Sequence, residues 1–123
     1  MTKYQFYNVN PLGALEEDCV TRAITLATKS DYYKVKDKLY LIAQLFECDK
    51  LCVCCYKHLL DGVYKLPRVP VESGTTIRDF LKIHNKGTYI IRIDGHLTCG
   101  IDGVCFDIWD CVQEYIDIVW EVI

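Results

Sequence analysis

The sequence lacks the features of membrane-spanning and secreted chains. No stretch approaches the roughly 18 consecutive apolar residues that a membrane-spanning helix needs. The first residues, MTKYQFYNVNPLG, contain no apolar run of the kind found in a secretory signal peptide. We therefore expect a cytoplasmic protein that has no membrane partner.

An excess of positive charge is also missing. The chain has 14 Lys and Arg residues against 17 Asp and Glu residues, which gives a net charge of −3. Nucleic-acid-binding domains normally cluster basic residues, so we expect no nucleic-acid partner. Internal repeats and low-complexity linkers are absent as well. The 123 residues, 51% of them hydrophobic, are enough for one domain, residues 1–123, with its own core.

Cysteine, by contrast, is abundant, with eight residues in the chain. In a reducing cytoplasm, cysteines more often serve as buried thiols, metal ligands or a nucleophile than as disulfides. Several lie in the segment CDKLCVCCYKH, and on a helix Cys48, Cys52 and Cys55 would share one face, with His58 one turn further. These residues are weak candidates for a thiophilic-metal site. The familiar zinc pattern of two separated pairs is missing, and buried cysteines also pack like small apolar residues, so we expect no cofactor.

Helical periodicity comes first along the chain, and strand patterns follow it. After an irregular segment at 1–17, apolar spacing predicts helices at 18–29, 32–47, 50–60 and, from a cap at Thr75 or Thr76, to about 84. A short extended piece is predicted at 68–71. Runs rich in β-branched and aromatic residues predict strands at 88–93, 96–101, 104–109 and 116–122, with Asp94-Gly95 as a kink or bulge. Helices followed by an antiparallel sheet indicate the α+β class.

The segment from Ile93 to Asp110 predicts a hairpin that turns at Asp102-Gly103. This turn sets the apolar pairs Ile101–Val104, Cys99–Phe106 and Leu97–Ile108, and a slip by one residue would mix the faces. The opposite face carries His96, Asp107 and Trp109. Diagonal neighbours on one face are within side-chain reach, so Asp107 is preferred to Asp110 as the partner of His96. Trp109, placed opposite His96, would shield that pair from water.

Cys19 lies at the predicted start of the first helix, where Asp18 is the expected N-cap. The partial positive charge at a helix start favours a thiolate, and an imidazole brought against the thiol would favour it further. With Asp107 orienting His96, these residues form the general pattern of a catalytic triad. A His–Asp pair without any catalytic role is the alternative interpretation.

The segments NPLGALEEDCVTRAI and KGTYIIRIDGHLTCGIDGVCFDIWDC resemble small papain-like cysteine peptidases of bacteriophages and gut bacterial genomes. The resemblance extends from about residue 10 to residue 120. It implies a papain-like fold, with N-terminal helices packed on a C-terminal antiparallel sheet. It also implies that Cys19 is the nucleophile, His96 the general base and acid, and Asp107 the residue that orients the imidazole.

The function implied by the resemblance is a thiol hydrolase, a cysteine peptidase or isopeptidase that cleaves an amide bond in a peptide or protein substrate. If a phage encodes the chain, its location would be the host cytoplasm. The alternative is a non-catalytic interaction protein on the same fold that binds a host protein.

The oxyanion site is where the chain departs from larger papain-like enzymes. Those enzymes commonly carry a glutamine before the nucleophile, at the position that Gly13 occupies here. Asn10 is the nearest side-chain amide and becomes the oxyanion candidate, together with the backbone N–H of Cys19. Asn10 is equally well explained as a turn former before Pro11.

Overall fold

The computed structural model describes residues 3–49 and 52–123. Helices and strands in this part of the chain pack as one mixed arrangement, which confirms the α+β class. In chain order the elements are β1 (Tyr4–Phe6), α1 (Cys19–Thr28), α2 (Tyr32–Leu45), α3 (Val53–Lys57), which continues as a π-helical segment (His58–Val63), α4 (Ile77–Ile83), β2 (Thr88–Ile93), β3 (His96–Ile101), β4 (Val104–Asp107) and β5 (Ile116–Val122). No helix of the described ranges is long and apolar enough to cross a bilayer.

The sheet has the strand order β1-β4-β3-β2-β5. Its four C-terminal strands pair in an antiparallel manner, whereas β1 pairs with β4 in parallel. The antiparallel pairing predicted for the C-terminal strands is therefore confirmed, whereas the parallel strand β1 was not predicted and lies within the segment 1–17 that was expected to be irregular. A three-residue edge strand is too short for its periodicity to identify it. Its pairing of Phe6 with Asp107 places the N-terminal segment against the end of β4.

The hairpin of β3 and β4 has the predicted turn and register. Ile101 pairs with Val104, and Cys99 pairs with Phe106. Asp102 and Gly103 have φ values of 48° and 83°, the left-handed conformations that a two-residue type I′ turn requires. The strand β4 ends at Asp107 rather than at residue 109. The predicted pair of Leu97 with Ile108 is consequently not part of the ladder.

A second tight turn, Asp94-Gly95, joins β2 to β3. Ile93 pairs with His96 across it, so it closes a two-residue hairpin and is not the predicted kink or bulge. Gly95 has a φ of +68°, a conformation that glycine adopts without steric cost. The consequence for the site is that His96 is the first residue of β3, at the end of the sheet.

Helices cover both faces of the sheet. The helices α1, α2 and α3 share a core with Leu97 and Cys99 of β3, so the prediction that Cys99 belongs to the core is confirmed. The helix α4 packs against the opposite face, where Ile91 and Cys105 contribute to a second core. Because α1 packs directly on β3, its first residue, Cys19, lies beside the start of that strand.

Several predicted helix ends were wrong by a few residues. The third helix begins at Val53 and continues through Val63, beyond the predicted stop at Asp61-Gly62. Lys50 and Leu51, which belong to that prediction, lie outside the described residues. The predicted cap of α4 is confirmed, since Thr76 accepts a hydrogen bond from the backbone N–H of Asp79.

Candidate active site

Cys19 is half-buried at the N-terminal end of α1, on the floor of a cleft. The cleft has a volume of about 370 Å³ and is lined by Glu16, Glu17, Cys19, Arg22, Gly95, His96, Ile108 and Trp109. A smaller cavity of about 70 Å³ also reaches Cys19 and His96, with Tyr56 and Arg92 among its lining residues. The thiol and the imidazole therefore lie where two spaces meet, and a bound molecule could extend into both.

His96 and Asp107 form a hydrogen-bonded pair with 2.7 Å between Nε2 of the ring and Oδ2 of the carboxylate. Burial by itself would raise the pKa of Asp107, but hydrogen bonds from His96, Thr98 and the backbone of Ile108, together with the charge of His96, lower it. An ionised carboxylate can only accept, so Nε2 is the ring nitrogen that carries the shared proton. The other nitrogen, Nδ1, is thereby left for chemistry at Cys19.

Trp109 lies against the same histidine. Its Nε1 is 3.2 Å from Nε2 of His96, and the two ring centroids are 5.2 Å apart at an interplanar angle of 64°. Since Nε2 donates to Asp107, it cannot also accept from the indole N–H, so this contact is an edge-on packing contact. The expected proximity of Trp109 to His96 is therefore present, although Trp109 lies beyond the end of β4.

The electrostatics of Cys19 and His96 favour an ion pair. Burial by itself would raise the pKa of the Cys19 thiol, but hydrogen bonds with the His96 side chain and the Leu97 backbone, and the positive charges of His96 and Arg22, lower it. Burial would likewise lower the pKa of His96, yet its interactions with Asp107 and Cys19 raise it to about 9. Both shifts favour a thiolate beside an imidazolium more than two isolated groups would.

The three predicted triad residues thus come together from α1, β3 and the end of β4. Asp110, the alternative third member, does not join them. It is exposed, and its Oδ1 accepts a hydrogen bond from the backbone N–H of Val112. The preference for Asp107, which came from strand parity alone, agrees with these contacts.

Asn10 does not fit the predicted oxyanion role. It is 5% exposed, and it is not among the residues that line the cleft. Its Nδ2 donates to Glu16 at 2.9 Å and to Asp18 at 3.0 Å, which uses both amide hydrogens. Its Oδ1 accepts from the backbone N–H of Leu12, as a turn former does. The turn-forming alternative is therefore the one that agrees with the contacts.

Asp18 also departs from its predicted role. It precedes α1 but makes no side-chain cap. Its carboxylate accepts instead from Nε of Arg22 at 2.6 Å and from the hydroxyl of Tyr32 at 2.7 Å. Arg22 in turn donates from a terminal nitrogen to Oδ1 of Asp107 at 3.0 Å. Sequence reasoning missed Arg22, and the available signal was a charged residue between Val20, Ala23 and Ile24 on the buried side of α1.

The residues of the predicted thiophilic-metal cluster do not share one helix face, because Cys48 and Cys52 precede α3. The thiols nevertheless interact, Cys48 with Cys54 and Cys55, and Cys52 with Cys54. The buried Cys55 also donates to the carbonyl of Leu39 at 3.4 Å, and the exposed His58 stacks on Phe46. Within the described residues, one group of side chains has metal-ligand atoms close together, all within 4.8 Å of one another: His96, Asp107 and Cys111. Two of these already form the His–Asp pair, so a metal there would compete with it.

Chemically, the arrangement pairs a soft nucleophile with an imidazole that an aspartate fixes in one tautomer. Such a set can form and break an acyl bond to sulfur without a metal or an organic cofactor. Comparison of the chain with protein-family models, with curated proteins and with solved structures found no match.

Proposed function

We propose that the protein is a thiol hydrolase of the cysteine peptidase or isopeptidase type, with a papain-like arrangement of its helices and sheet. The observation that carries the proposal is the hydrogen-bonded pair of His96 and Asp107 beside a thiol whose pKa is lowered. The cleft above Cys19 offers the space that a peptide or protein segment would occupy.

The proposed reaction has two halves. The Cys19 thiolate attacks the amide carbonyl carbon, and His96 gives its Nδ1 proton to the nitrogen as the carbon–nitrogen bond breaks. The products are a free amine and a thioester on Cys19. Water then attacks the thioester while His96 accepts a proton, which releases a carboxylic acid and restores the thiolate.

The backbone supplies the oxyanion donor in this scheme. Cys19 is the first residue of α1, and a first-turn amide has no partner inside its own helix. Its N–H is therefore available to the oxygen on which negative charge develops. Because the Asn10 amide is held by two carboxylates, the proposed site depends on backbone donors more than larger papain-like enzymes do.

An activated ester tests the proposal without knowledge of the natural substrate. The protein is mixed with p-nitrophenyl acetate, release of p-nitrophenolate is followed by absorbance, and the acetylated residue is located by peptide mass spectrometry. We expect rapid acetylation of Cys19, followed by slow hydrolysis. The Cys19→Ala variant should lose the reaction, whereas the control Cys54→Ala, which removes an exposed thiol, should keep it. Acetylation spread over the accessible thiols would contradict the proposal.

A non-catalytic interaction protein that binds a host protein is the second candidate. It is favoured by the commitment of the Asn10 amide to Glu16 and Asp18, which removes a side-chain oxyanion donor. A Cys19 that is unreactive toward both the ester and iodoacetamide would support this candidate. Reaction of Cys19 with both reagents would support the hydrolase.

A further inference from the structure

Arg22 carries a buried charge between two buried carboxylates. Its Nε lies 2.6 Å from Oδ1 of Asp18, and a terminal nitrogen lies 3.0 Å from Oδ1 of Asp107. The Arg22 side chain is 8% exposed, and those of Asp18 and Asp107 are 9% and 2% exposed. Burying an arginine side chain is energetically unfavourable unless partners of opposite charge compensate for its lost hydration, and here two carboxylates do so.

The contacts divide the Asp107 carboxylate between two tasks. Oδ1 accepts from Arg22 and, at 2.7 Å, from the backbone N–H of Ile108. Oδ2 is thereby directed at Nε2 of His96. The far end of the guanidinium is fixed as well, because Asp18 is itself held by the hydroxyl of Tyr32 at 2.7 Å. The carboxylate is thus held toward His96 by Arg22 of α1 together with the backbone N–H of Ile108 and the side chains of Thr98 and Cys111.

We infer that Arg22 is a positioning residue of the proposed hydrolase. Its guanidinium holds Asp107 in the orientation that His96 requires, and it supplies the positive charge that lets Asp107 stay ionised after His96 gives up its proton. The inference rests on the proposed function, because a positioning role needs a reaction to serve. The contacts of Arg22 are present whatever the function is.

The charge matters because the proposed cycle moves a proton on and off His96. When His96 is neutral, a buried Asp107 with no other cation would be an uncompensated charge, which is strongly unfavourable. Such a carboxylate would hold the proton on the imidazole and make His96 a poor acid. An arginine stays protonated throughout, so Asp107 always keeps one cationic partner.

Other charged or titratable groups also lie near His96 and Arg22. They are Cys19 and Asp18 of α1 and its approach, Tyr32 of α2, Cys105 and Asp107 of β4, Cys111 beyond it, and the cavity-lining Glu16, Glu17, Tyr56 and Arg92. Cys19, Tyr32, Asp18 and Asp107 respond to Arg22 themselves, through its charge or its ion pairs. The titration of His96 is therefore compared between variants at position 22 that keep the positive charge and variants that remove it.

The test is an NMR titration of the imidazole protons. The chain has three histidines, so the His96 resonance can be assigned by substitution. All measurements use the Cys19→Ser background, which removes the coupled titration of the thiol. We expect Arg22→Met to move the His96 midpoint upward by roughly one pH unit, because a nearby positive charge is lost. Arg22→Lys should return the midpoint toward that of the parent protein.

The direction of the shift separates the charge of Arg22 from its hold on the Asp107 carboxylate. Loss of the Asp107–His96 hydrogen bond would move the midpoint down, toward the ordinary histidine value of about 6.5. A lowered midpoint that Arg22→Lys restores would show that Arg22 acts by orienting Asp107 and not by its charge, and an unchanged midpoint would overturn the inference. If Arg22→Met does not fold, Arg22→Gln keeps a hydrogen-bond donor for Asp107 while removing the charge, and the same upward shift is expected.

Ester turnover gives the second readout. This experiment uses the background in which Cys19 is intact. The pH profile for hydrolysis of acetylated Cys19 should shift to higher pH in Arg22→Met, because the more basic imidazole stays protonated up to a higher pH. If this shift is absent while Cys19 is still acetylated, the inference about Arg22 is refuted and the proposed function is not. Absence of acetylation in the parent protein would count against the proposed function, while the NMR titration would still decide the effect of Arg22.

Discussion

Replacing His96 by alanine should change the reactivity of Cys19 in opposite directions at low and high pH. In the parent protein the hydrogen bond and positive charge of His96 lower the pKa of the Cys19 thiol. In His96→Ala those contributions are lost while much of the burial remains, and burial raises the pKa. The variant therefore holds less thiolate at acidic and neutral pH than the parent protein.

The size of the effect follows from two opposing factors. Below both thiol pKa values, each unit by which His96 lowers the pKa gives tenfold more thiolate. A thiolate of lower pKa is also less nucleophilic, with a Brønsted coefficient of about 0.4–0.5, so the net gain is roughly threefold to fourfold per unit. At a pH above both thiol pKa values only the second factor remains, so the His96→Ala thiolate should react faster there.

The assay is alkylation by iodoacetamide from pH 5 to 10.5, quenched over time and quantified for each cysteine by peptide mass spectrometry. Glutathione added to every sample serves as the reference thiol, because contacts with Cys48 and Cys52 raise the pKa of Cys54 to about 12. The control is His84→Ala, because His84 stacks on Phe80 at a centroid distance of 4.2 Å and is not among the residues lining the cleft. We expect the rate profiles of His96→Ala and the parent protein to cross, and that of His84→Ala to overlay the parent.

A His96→Ala profile that coincides with the parent profile at every pH would refute the reasoning. It would mean that His96 does not control ionisation of Cys19. Circular dichroism of both variants ensures that a difference in rate is not caused by unfolding.

Three further predictions concern stability and the oxyanion site. Arg22→Met leaves two buried carboxylates without their cation and should lower the free energy of unfolding by about 3–5 kcal/mol in urea titrations, a larger loss than for Arg22→Lys. Asn10→Ala should destabilise the fold by about 1–3 kcal/mol without the roughly hundredfold loss of Cys19 acetylation expected for an oxyanion donor. Gly100→Ala places a Cβ 2.8 Å from Cδ2 of Leu81 and should cost about 1–3 kcal/mol, measured by thermal melting.

The register of the β3–β4 hairpin could be predicted because its residues alternate strictly and its turn sequence has one favoured geometry. Cys99 pairs with Phe106, and Ile101 with Val104, only if Asp102-Gly103 forms a two-residue turn, as it does. That register by itself predicts that His96 and Asp107 lie on one face of the hairpin. Local patterns were enough here because the two partners are close in sequence.

The rest of the site depends on packing that periodicity does not encode. Arg22 and Asp107 are 85 positions apart, and their contact exists because α1 docks across the start of β3. The carboxylates that hold the Asn10 amide come together through the fold of the 7–18 segment, which has no regular pattern. The edge strand β1 could not be predicted from local pattern either, because its partner β4 lies near the other end of the chain.

The contacts form a chain of alternating charges that runs from Cys19 through His96, Asp107 and Arg22 to Asp18. Each internal member is compensated on both sides, which is how so many ionisable groups can be buried together. The inner part of this chain, Arg22 between its two carboxylates, does not include Cys19. Cys19 stands at the open end of the chain, where it lines the cleft and also packs against the core. Its ionised form completes the alternation of charges, and the proposed hydrolase uses that same ionised form as its nucleophile.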